Sequence, residues 1–292
     1  MSEDFPLQEW QPERYQEFTH ILANHRLSHA YLFSGSFGAK AMAQALAQSL
    51  FCEVSRDAWP CGQCRSCRLI AAREFSDVKW IAPEGQTIKT QTIREMTREF
   101  SQSGYEGEAQ VFIIQEAEKM HVNAANSLLK FIEEPQSASY VFFLTTEQDR
   151  ILPTIRSRVQ SFHFSKNRPL IQAYFEQAGH LPSKAKLLTE VLSSEEQMAR
   201  FVTDKHLLDL VQAVERFVKQ LEQPLAFIEA DRLASKANDK EEQAFIFQVL
   251  VQSLRLLQPQ SALHWTQKAF KAQAMWQSHV SFQNALEYMV MS

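Results

Sequence analysis

The sequence predicts an α/β domain built on a parallel β-sheet, followed by an all-helical region. Short apolar runs alternate with helical patterns over roughly the first 165 residues. These runs are apolar almost without interruption, which is typical of parallel strands that are covered by helices on both faces. Beyond Phe164 the apolar residues recur at helical spacing, and no run has the pattern of a strand.

Five strands are expected in the N-terminal part. They cover residues 31–33, 78–81, 111–114, 140–144 and 159–164. Helical patterns between the strands include residues 41–51 and 92–101. Because strands that alternate with helices pair side by side in the same direction, this order predicts a parallel sheet.

The region after Phe164 is expected to form a small helical unit and then a longer helical domain. Helical patterns at residues 170–175 and 187–192 belong to the first, and Gly179 and Pro182 break the helix between them. The later helices are expected at residues 207–221 and near residues 225–237, 241–257, 262–277 and 282–289. We therefore expect three domains, at residues 1–165, 166–205 and 206–292.

The composition is that of an ordinary globular protein. The chain of 292 residues has 45% hydrophobic and 22% charged residues. Its net charge of −4 argues against binding nucleic acid through overall charge alone. The sequence has no apolar run of about 18 residues, and the acidic Glu3, Asp4 and Glu9 are unlike a secretory signal. We therefore expect a cytoplasmic protein whose thiols stay reduced.

The first predicted strand runs into a glycine-bearing turn and then a helix, which is where a phosphate-binding loop belongs. Such a loop follows the pattern G-x-x-x-x-G-K-[ST], in which the lysine binds phosphate and the hydroxyl binds magnesium. Counted from Gly35, Lys40 stands at the second glycine, Ala41 at the lysine and Met42 at the hydroxyl. The turn from Gly35 to Gly38 is therefore either a degenerate phosphate loop or an ordinary strand-to-helix turn.

The third predicted strand ends in a second degenerate nucleotide motif, Gln115 followed by Glu116. Sites that hydrolyse nucleotides use an aspartate here to hold magnesium and a following glutamate to activate water. Gln115 replaces the aspartate, and an amide is a poor ligand for a hard cation. Glu116 keeps its carboxylate. Two eroded nucleotide motifs in one chain are hard to reconcile with efficient ATP hydrolysis.

All four cysteines, Cys52, Cys61, Cys64 and Cys67, lie in one short segment with the spacing C-x8-C-x2-C-x2-C. This spacing favours a tetrahedral zinc site, and Gly62 permits the tight turn between two ligands. Four protein ligands leave no open position, so such a zinc ion would be structural. An iron–sulfur centre and four unrelated reduced thiols are the alternatives.

Three further segments complete a pattern that resembles the AAA+ subunits of bacterial clamp loaders. They are LSHAYLFSG at residues 27–35, NSLLKFIEEP at 126–135 and ILPTIRSR at 151–158. The three occur in this order over about 130 residues, and together they are specific to that family. The C-terminal half is matched mainly by its helical pattern, with HVSFQNALE at 279–287 resembling the final helix of the family.

Two kinds of clamp-loader subunit share these motifs. The tau/gamma motor subunits keep an intact phosphate loop, whereas delta-prime subunits often carry an eroded one. Lys40, Ala41, Met42 and Gln115 therefore favour a delta-prime-like subunit of the DNA polymerase III clamp loader. The resemblance implies a P-loop NTPase-like AAA+ domain that carries a zinc module, a small helical lid, and a helical collar that joins neighbours in a five-subunit ring.

The resemblance also assigns a role to Arg158. The segment SRV matches the Ser-Arg-Cys motif of the family, with a valine in place of the cysteine. In relatives this arginine reaches the nucleotide of the next subunit, where a guanidinium can stabilise charge on the transferring phosphate. By residue type alone, Arg156 and Arg158 are better explained as solvated residues of a loop after Pro153. Thr145 and Thr146 fall where relatives sense the γ-phosphate, and we interpret them as remnants of that site.

Three functions are consistent with the sequence. The first is a non-enzymatic ring subunit that lends structure and one arginine to ATPase neighbours while a sliding clamp is loaded on primed DNA. Its partners would be tau/gamma and delta subunits, and ATP would not bind it tightly. The second is an active AAA+ motor. The third is a zinc-containing nucleic-acid-binding protein with no motor partner.

Overall fold

The computed structural model describes residues 6–54, 58–99, 109–133 and 138–291. Two compact units make up the chain, Met1–Asn167 and Arg168–Ser292. The division of the second unit into a lid and a collar stays a prediction. Glu134 and Pro135, which complete one of the family motifs, lie outside the described residues. Across the described ranges, no helix is both long and apolar enough to span a membrane.

The N-terminal unit is built on a five-stranded sheet. Its strands are β1 (Ala30–Ser34), β2 (Val78–Ile81), β3 (Ala109–Ile114), β4 (Ala138–Thr145) and β5 (Gln160–His163). They lie in the order β2-β3-β4-β1-β5, and every pairing between neighbours is parallel. The predicted α/β fold with a parallel sheet is confirmed. The fifth strand is shorter than expected, because it begins after Val159 and ends before Phe164.

Helices join these strands. They are α1 (Leu7–Trp10), α2 (Pro12–Ala23), α3 (Ala39–Phe51), α4 (Arg65–Ala72), α5 (Thr90–Glu99), α6 (Val122–Glu133) and α7 (Pro153–Arg156), with 3-10 turns at Ala117–Lys119 and Gln148–Arg150. The helices predicted at residues 41–51 and 92–101 correspond to α3 and α5. The end of the second prediction, Ser101, lies outside the described residues.

Apolar cores cover both faces of the sheet. Phe33 and Phe142 belong to one core together with Met42 of α3. Leu32 and Phe143, each one step along the same strand, belong to the other core, with residues of α5 and α6. Successive side chains of a strand point to opposite faces, so strands that are apolar throughout feed two cores at once. The sheet thereby holds the carboxyl ends of β1, β3 and β4 at one edge.

Every described element of the second unit is a helix. They are α8 (Arg168–Gln177), α9 (Pro182–Val191), α10 (Glu195–Thr203), α11 (Lys205–Gln220), α12 (Ala226–Ala234), α13 (Lys240–Leu254), α14 (Pro259–Gln277) and α15 (Phe282–Val290). Local hydrogen bonds start several of them, since Ser194, Asp239 and Ser281 each accept from a backbone N–H in the first turn. The all-helical prediction is confirmed, although α10 was not among the expected helices.

Candidate functional site: a closed phosphate-loop turn and a cysteine cluster

The turn between β1 and α3 needs glycine at two positions. Gly35 and Gly38 have φ angles of +104° and +91°, in the region that side chains rarely adopt. A Cβ at Gly35 would lie 2.2 Å from the carbonyl oxygen of Phe164, and one at Gly38 would lie 2.7 Å from Cγ of Gln11. Backbone and side chains of the same chain therefore pack directly against this turn.

The side chain of Gln11 packs against the turn and is hydrogen-bonded to it. Its Nε2 donates to the carbonyl oxygens of Phe37, at 2.7 Å, and of Ser165, at 2.8 Å. Gln11 is 6% exposed and Phe37 is 4% exposed. A phosphate loop turns backbone N–H groups toward its anion, whereas here the Phe37 carbonyl oxygen faces an amide donor. The polarity of this contact is opposite to the one that a phosphate needs.

The three positions that the phosphate-loop pattern assigns lie in the first turn of α3, which begins at Ala39. Met42 is fully buried in the core, and its backbone N–H donates to the Gly38 carbonyl oxygen at 2.8 Å. Lys40 and Ala41 are half-buried. A thioether packed in a core offers no oxygen to a magnesium ion, which requires hard ligands. This residue serves the fold of the domain and not a metal.

Gln115 and Glu116 follow directly after β3, at the edge of the sheet that also carries the turn. Gln115 is half-buried, and its backbone N–H donates to the Ile81 carbonyl oxygen at 2.8 Å. Glu116 has a φ angle of +48° and pairs its carboxylate with Nζ of Lys119 at 2.5 Å. The one carboxylate of this motif is therefore already paired with a lysine of its own chain.

Thr145 ends β4 at the same edge and is also engaged within the chain. Its Oγ1 donates to Oε2 of Glu118 at 2.6 Å and accepts from the backbone N–H of Glu147 at 3.0 Å. Its carbonyl oxygen accepts from the backbone N–H of Gly35 at 2.9 Å. Thr145 is buried, whereas Thr146 is exposed. The structure thus brings Thr145 next to the turn between β1 and α3, whereas the side chain of Thr146 is exposed to solvent.

Arg158 lies on the surface just after α7. Its Nε pairs with a carboxylate oxygen of Glu133 at the end of α6, and one terminal nitrogen donates to the Thr154 carbonyl oxygen at 3.0 Å. The Arg158 side chain is 38% exposed. Arg156, two residues earlier, pairs with Asp149 at 3.3 Å. Both arginines are therefore oriented by their own chain, and Arg158 keeps part of its guanidinium open to solvent.

The four cysteines come together as the sequence predicts. Their Sγ atoms all lie within 4.8 Å of one another, and all four are free thiols. A tetrahedral zinc ion with Zn–S bonds of about 2.3 Å needs sulfur atoms about 3.8 Å apart. The donor set, Cys52, Cys61, Cys64 and Cys67, therefore fits a four-coordinate metal ion.

Backbone groups around the cluster stabilise thiolates. Cys61 Sγ accepts from the backbone N–H groups of Cys64, at 3.3 Å, and of Gln63, at 3.4 Å. The hydrogen bonds from the Gln63 and Cys64 backbone, with smaller contributions from the Cys52 and Cys64 side chains, lower the pKa of Cys61 to about 6. Cys64 is the N-cap residue of α4, and its Sγ accepts from the Cys67 backbone N–H at 3.5 Å. Burial raises the pKa of Cys67, so its thiolate would need a cation beside it.

The segment that holds the cysteines is attached to α2 and α3. Trp59 Nε1 donates to Oγ1 of Thr19 at 2.7 Å, and its ring stacks on Tyr15 with centroids 4.5 Å apart. On the other side, Nε2 of Gln48 donates to the Cys67 carbonyl oxygen at 2.7 Å. Sequence reasoning missed Gln48 and Gln11, because a lone glutamine carries no pattern that marks it as buried and bonded.

The N-terminal part of the chain is similar to known DNA polymerase III subunits. Residues 10–168 match the family described as "DNA polymerase III, delta subunit". The DNA polymerase III subunit delta' of Bacillus subtilis (strain 168) is 36% identical over 191 residues, which are 64% of this chain and 58% of the relative. The subunit delta' of Escherichia coli (strain K12) is 32% identical over 156 residues, 51% of this chain and 47% of the relative. The chain thus spans about half the length of these curated relatives.

A gamma/tau subunit and one solved structure are also similar to this chain. The DNA polymerase III subunit gamma/tau of Mycobacterium tuberculosis is 38% identical over 148 residues, 48% of this chain and 25% of the relative. The crystal structure of a DNA polymerase III, gamma subunit-related protein from Thermotoga maritima superposes with a TM-score of 0.54. It is 15% identical and covers 95% of this chain and 97% of that chain. At this identity the likeness concerns the fold alone.

Proposed function

The chain belongs to the DNA polymerase III, delta subunit family and is delta-prime-like, and on this premise we propose that it is a clamp-loader subunit that does not itself hydrolyse ATP. In this function it is a fixed part of a heteromeric ring. Its ATPase neighbours, of the tau/gamma type, bind and turn over the nucleotide while a sliding clamp is loaded on primed DNA.

The hydrogen bond from Gln11 to the Phe37 carbonyl oxygen is the observation that carries this proposal. An incoming triphosphate would have to displace a buried side chain and then face a carbonyl oxygen, which repels an anion. Removing one partner of a buried hydrogen bond costs about 1–3 kcal/mol. The fully buried Met42, at the magnesium-binding hydroxyl position, and the Glu116–Lys119 ion pair, at the water-activating position, support the same conclusion.

Calorimetry with ATP and magnesium tests the proposal directly. We expect the purified full chain to give no binding heat at concentrations where a gamma/tau motor subunit, the positive control, binds ATP. Mixed with motor and delta subunits, the chain should enter a complex of defined stoichiometry and remain the member without nucleotide. Magnesium-dependent ATP binding followed by turnover in the isolated chain would overturn the proposal in favour of an active motor.

Arg158 is the residue through which the chain would act on a neighbour. Its side chain is partly exposed and is held by Glu133 and by the Thr154 carbonyl oxygen. A guanidinium is always charged and matches the oxygens of a phosphoryl group in geometry. We assign Arg158 as a trans-acting arginine finger for the ATP site of the next subunit.

The cysteine cluster would hold one structural zinc ion. Cys52, Cys61, Cys64 and Cys67 supply four sulfur ligands, which leave no position for water or substrate. A closed site of this kind binds no substrate, so its contribution is to stability. Metal analysis of freshly purified protein should find about one zinc per chain. Iron with visible absorption would indicate an iron–sulfur centre instead, and no metal at all would leave four unrelated thiols.

Exposed apolar side chains of the second unit support its use in assembly. Leu225, Phe227 and Ile228 form one group at the start of α12, and Leu263 and Phe270, seven residues apart on α14, form another. These five side chains are between 46% and 64% exposed. Grouped apolar residues on a surface mark protein–protein contacts. We assign residues 206–292 as the collar that joins neighbouring subunits, with residues 166–205 as the lid.

A further inference from the structure

A second concave site lies in the N-terminal unit, away from the phosphate-loop turn. It is a pocket of about 660 Å³, within the range of about 300–1,000 Å³ that is usual for small-molecule sites. Its walls include the last residues of α2, the turn before β1, the end of α3 and Tyr140 near the start of β4. The pocket thus adjoins the amino ends of β1 and β4, whereas the phosphate-loop turn follows the carboxyl end of β1.

Of the described polar side chains that line the pocket, those of Tyr140 and His25 are available to form a hydrogen bond with a ligand. The hydroxyls of Thr19 and Ser49 already donate to backbone carbonyl oxygens of their own helices, each at 2.7 Å. In contrast, the Tyr140 hydroxyl and the His25 imidazole make no hydrogen bond with any described residue. Burial raises the pKa of Tyr140, so its phenol is a neutral donor at physiological pH.

The remaining described residues that line the pocket are apolar. Leu22, Leu27 and Leu50 provide apolar surface, and none of the described lining residues is an aspartate, glutamate, lysine or arginine. Ala58 also lines the pocket. Its neighbour Trp59 is fixed to α2 through Thr19 and by stacking on Tyr15. A charged ligand would lose its hydration here without gaining an ionic partner among these residues.

We propose that this pocket binds an uncharged organic ligand with a ring-sized apolar body and a hydrogen-bonding group that pairs with Tyr140 and His25. The site is separate from the assembly role and does not depend on it. An apolar body would pack against the three leucines, and the polar group would pair with the Tyr140 hydroxyl and with the exposed His25 imidazole in place of water.

Fragment titration of the full chain, followed by NMR of labelled leucine methyl groups and the Tyr140 ring, tests this proposal. The probes are phenol and indole, compared with benzoate and benzylammonium, which have rings of similar size but carry charge. We expect the neutral probes to shift the signals of Leu22, Leu27 and Leu50 and to bind at least about tenfold more tightly than the charged ones.

Two variants locate the binding. Ala23→Phe, at a pocket-lining position at the end of α2, should abolish the shifts, whereas Ala71→Phe, at an exposed alanine of α4 outside the pocket, should not. Tyr140→Phe keeps the ring but removes the hydroxyl, and it should weaken phenol binding by about 3- to 10-fold. Equal binding of benzoate or benzylammonium, equal effects of the two alanine variants, or no shifts at the three leucines would each overturn the proposal.

Discussion

At the residue scale, Arg158 has a partly exposed guanidinium that Glu133 and the Thr154 carbonyl oxygen hold in place. Replacing this residue tests its proposed role. Arg158→Ala should leave assembly of the clamp-loader complex intact and lower its DNA- and clamp-stimulated ATPase activity. The ATP site that this residue serves should lose about 10²-fold or more in rate, since arginine fingers of GTPases contribute about 10³–10⁵. Steady-state ATP turnover of the purified variant complex measures the effect.

Arg150→Ala is the matched control, because Arg150 is also exposed and paired, with Glu147 at 3.1 Å. Glu133→Gln adds a second comparison, since it removes the ion pair of Arg158 but keeps the guanidinium. Both variants should retain turnover close to that of the wild-type complex. Unchanged ATP turnover in a correctly assembled Arg158→Ala complex would remove this residue from the mechanism.

Replacing Gly35 by alanine should lower the thermal stability of the protein. Gly35→Ala places a Cβ 2.2 Å from a backbone oxygen in a residue with φ of +104°, so strain and a steric clash add together. We expect its melting temperature to fall by about 10 °C. Gly85→Ala is the control, because Gly85 has φ of +75° but nothing within 4 Å of the added Cβ; it should lose only about 3 °C. Similar losses in both variants would contradict the close packing at Gly35.

Residue types alone lead to the hypothesis that Lys40, Ala41, Met42 and Gln115 mark an eroded nucleotide site, because each chemical role admits few side chains, and this hypothesis stays a prediction. The contact that closes the turn could not be predicted. Gln11 lies 26 residues before Phe37, and only the path of the folded chain brings them together. Similarly, the pairing of Glu116 with Lys119 depends on a backbone turn with positive φ, which residue type alone does not indicate.

At the element scale, α3 connects the two parts of the candidate site, since it begins just after Gly38 and ends just before Cys52. Gln48 on α3 also bonds the Cys67 carbonyl oxygen. Removing zinc with a strong chelator, or by Cys64→Ser, should therefore loosen both α4 and the end of α3. We expect the loss of about one zinc per chain and a melting temperature lower by about 10 °C, measured by metal analysis and thermal unfolding.

Ser66→Ala is the control for the zinc prediction. Ser66 is buried in the same segment and donates to Glu53 at 3.3 Å, but it supplies no sulfur. Its variant should keep the metal and more of the stability than Cys64→Ser, because it loses one hydrogen bond to a carboxylate, worth about 1.5–3 kcal/mol, and no metal ligand. A chain that loses its metal without any change in melting temperature would show that the cluster does not stabilise the fold.

Strands were the most predictable elements, because unbroken apolar runs such as that ending at Ile114 can only be buried on two faces. Helix α10 was missed because it has a weak apolar pattern. It has nine residues, and only a few of them, such as Met198 and Phe201, are buried apolar side chains. Its start depends on Ser194, whose side chain accepts from the Gln197 backbone N–H, a signal that is weak without the fold around it.

At the scale of the whole molecule, the two compact units should fold independently. Each has its own buried apolar residues, and the division falls between Asn167 and Arg168. Expressed separately, residues 1–167 should unfold cooperatively and carry the zinc, whereas residues 168–292 should give an all-helical circular dichroism spectrum. The two spectra should add up to that of the full chain. A fragment 1–167 that is unfolded, or that is isolated without metal, would contradict this prediction.

The glutamine bonded to the turn between β1 and α3 would make the proposed loss of ATPase chemistry hard to undo in evolution. A descendant that gained only a lysine and a hydroxyl would still carry Gln11 bonded to the Phe37 carbonyl oxygen of the turn. Removing Gln11 first would leave a buried carbonyl unpaired, and a hydroxyl at Met42 would enter an apolar core. Each intermediate would be less stable than its parent and still inactive, so selection would act against every single step back toward a working enzyme.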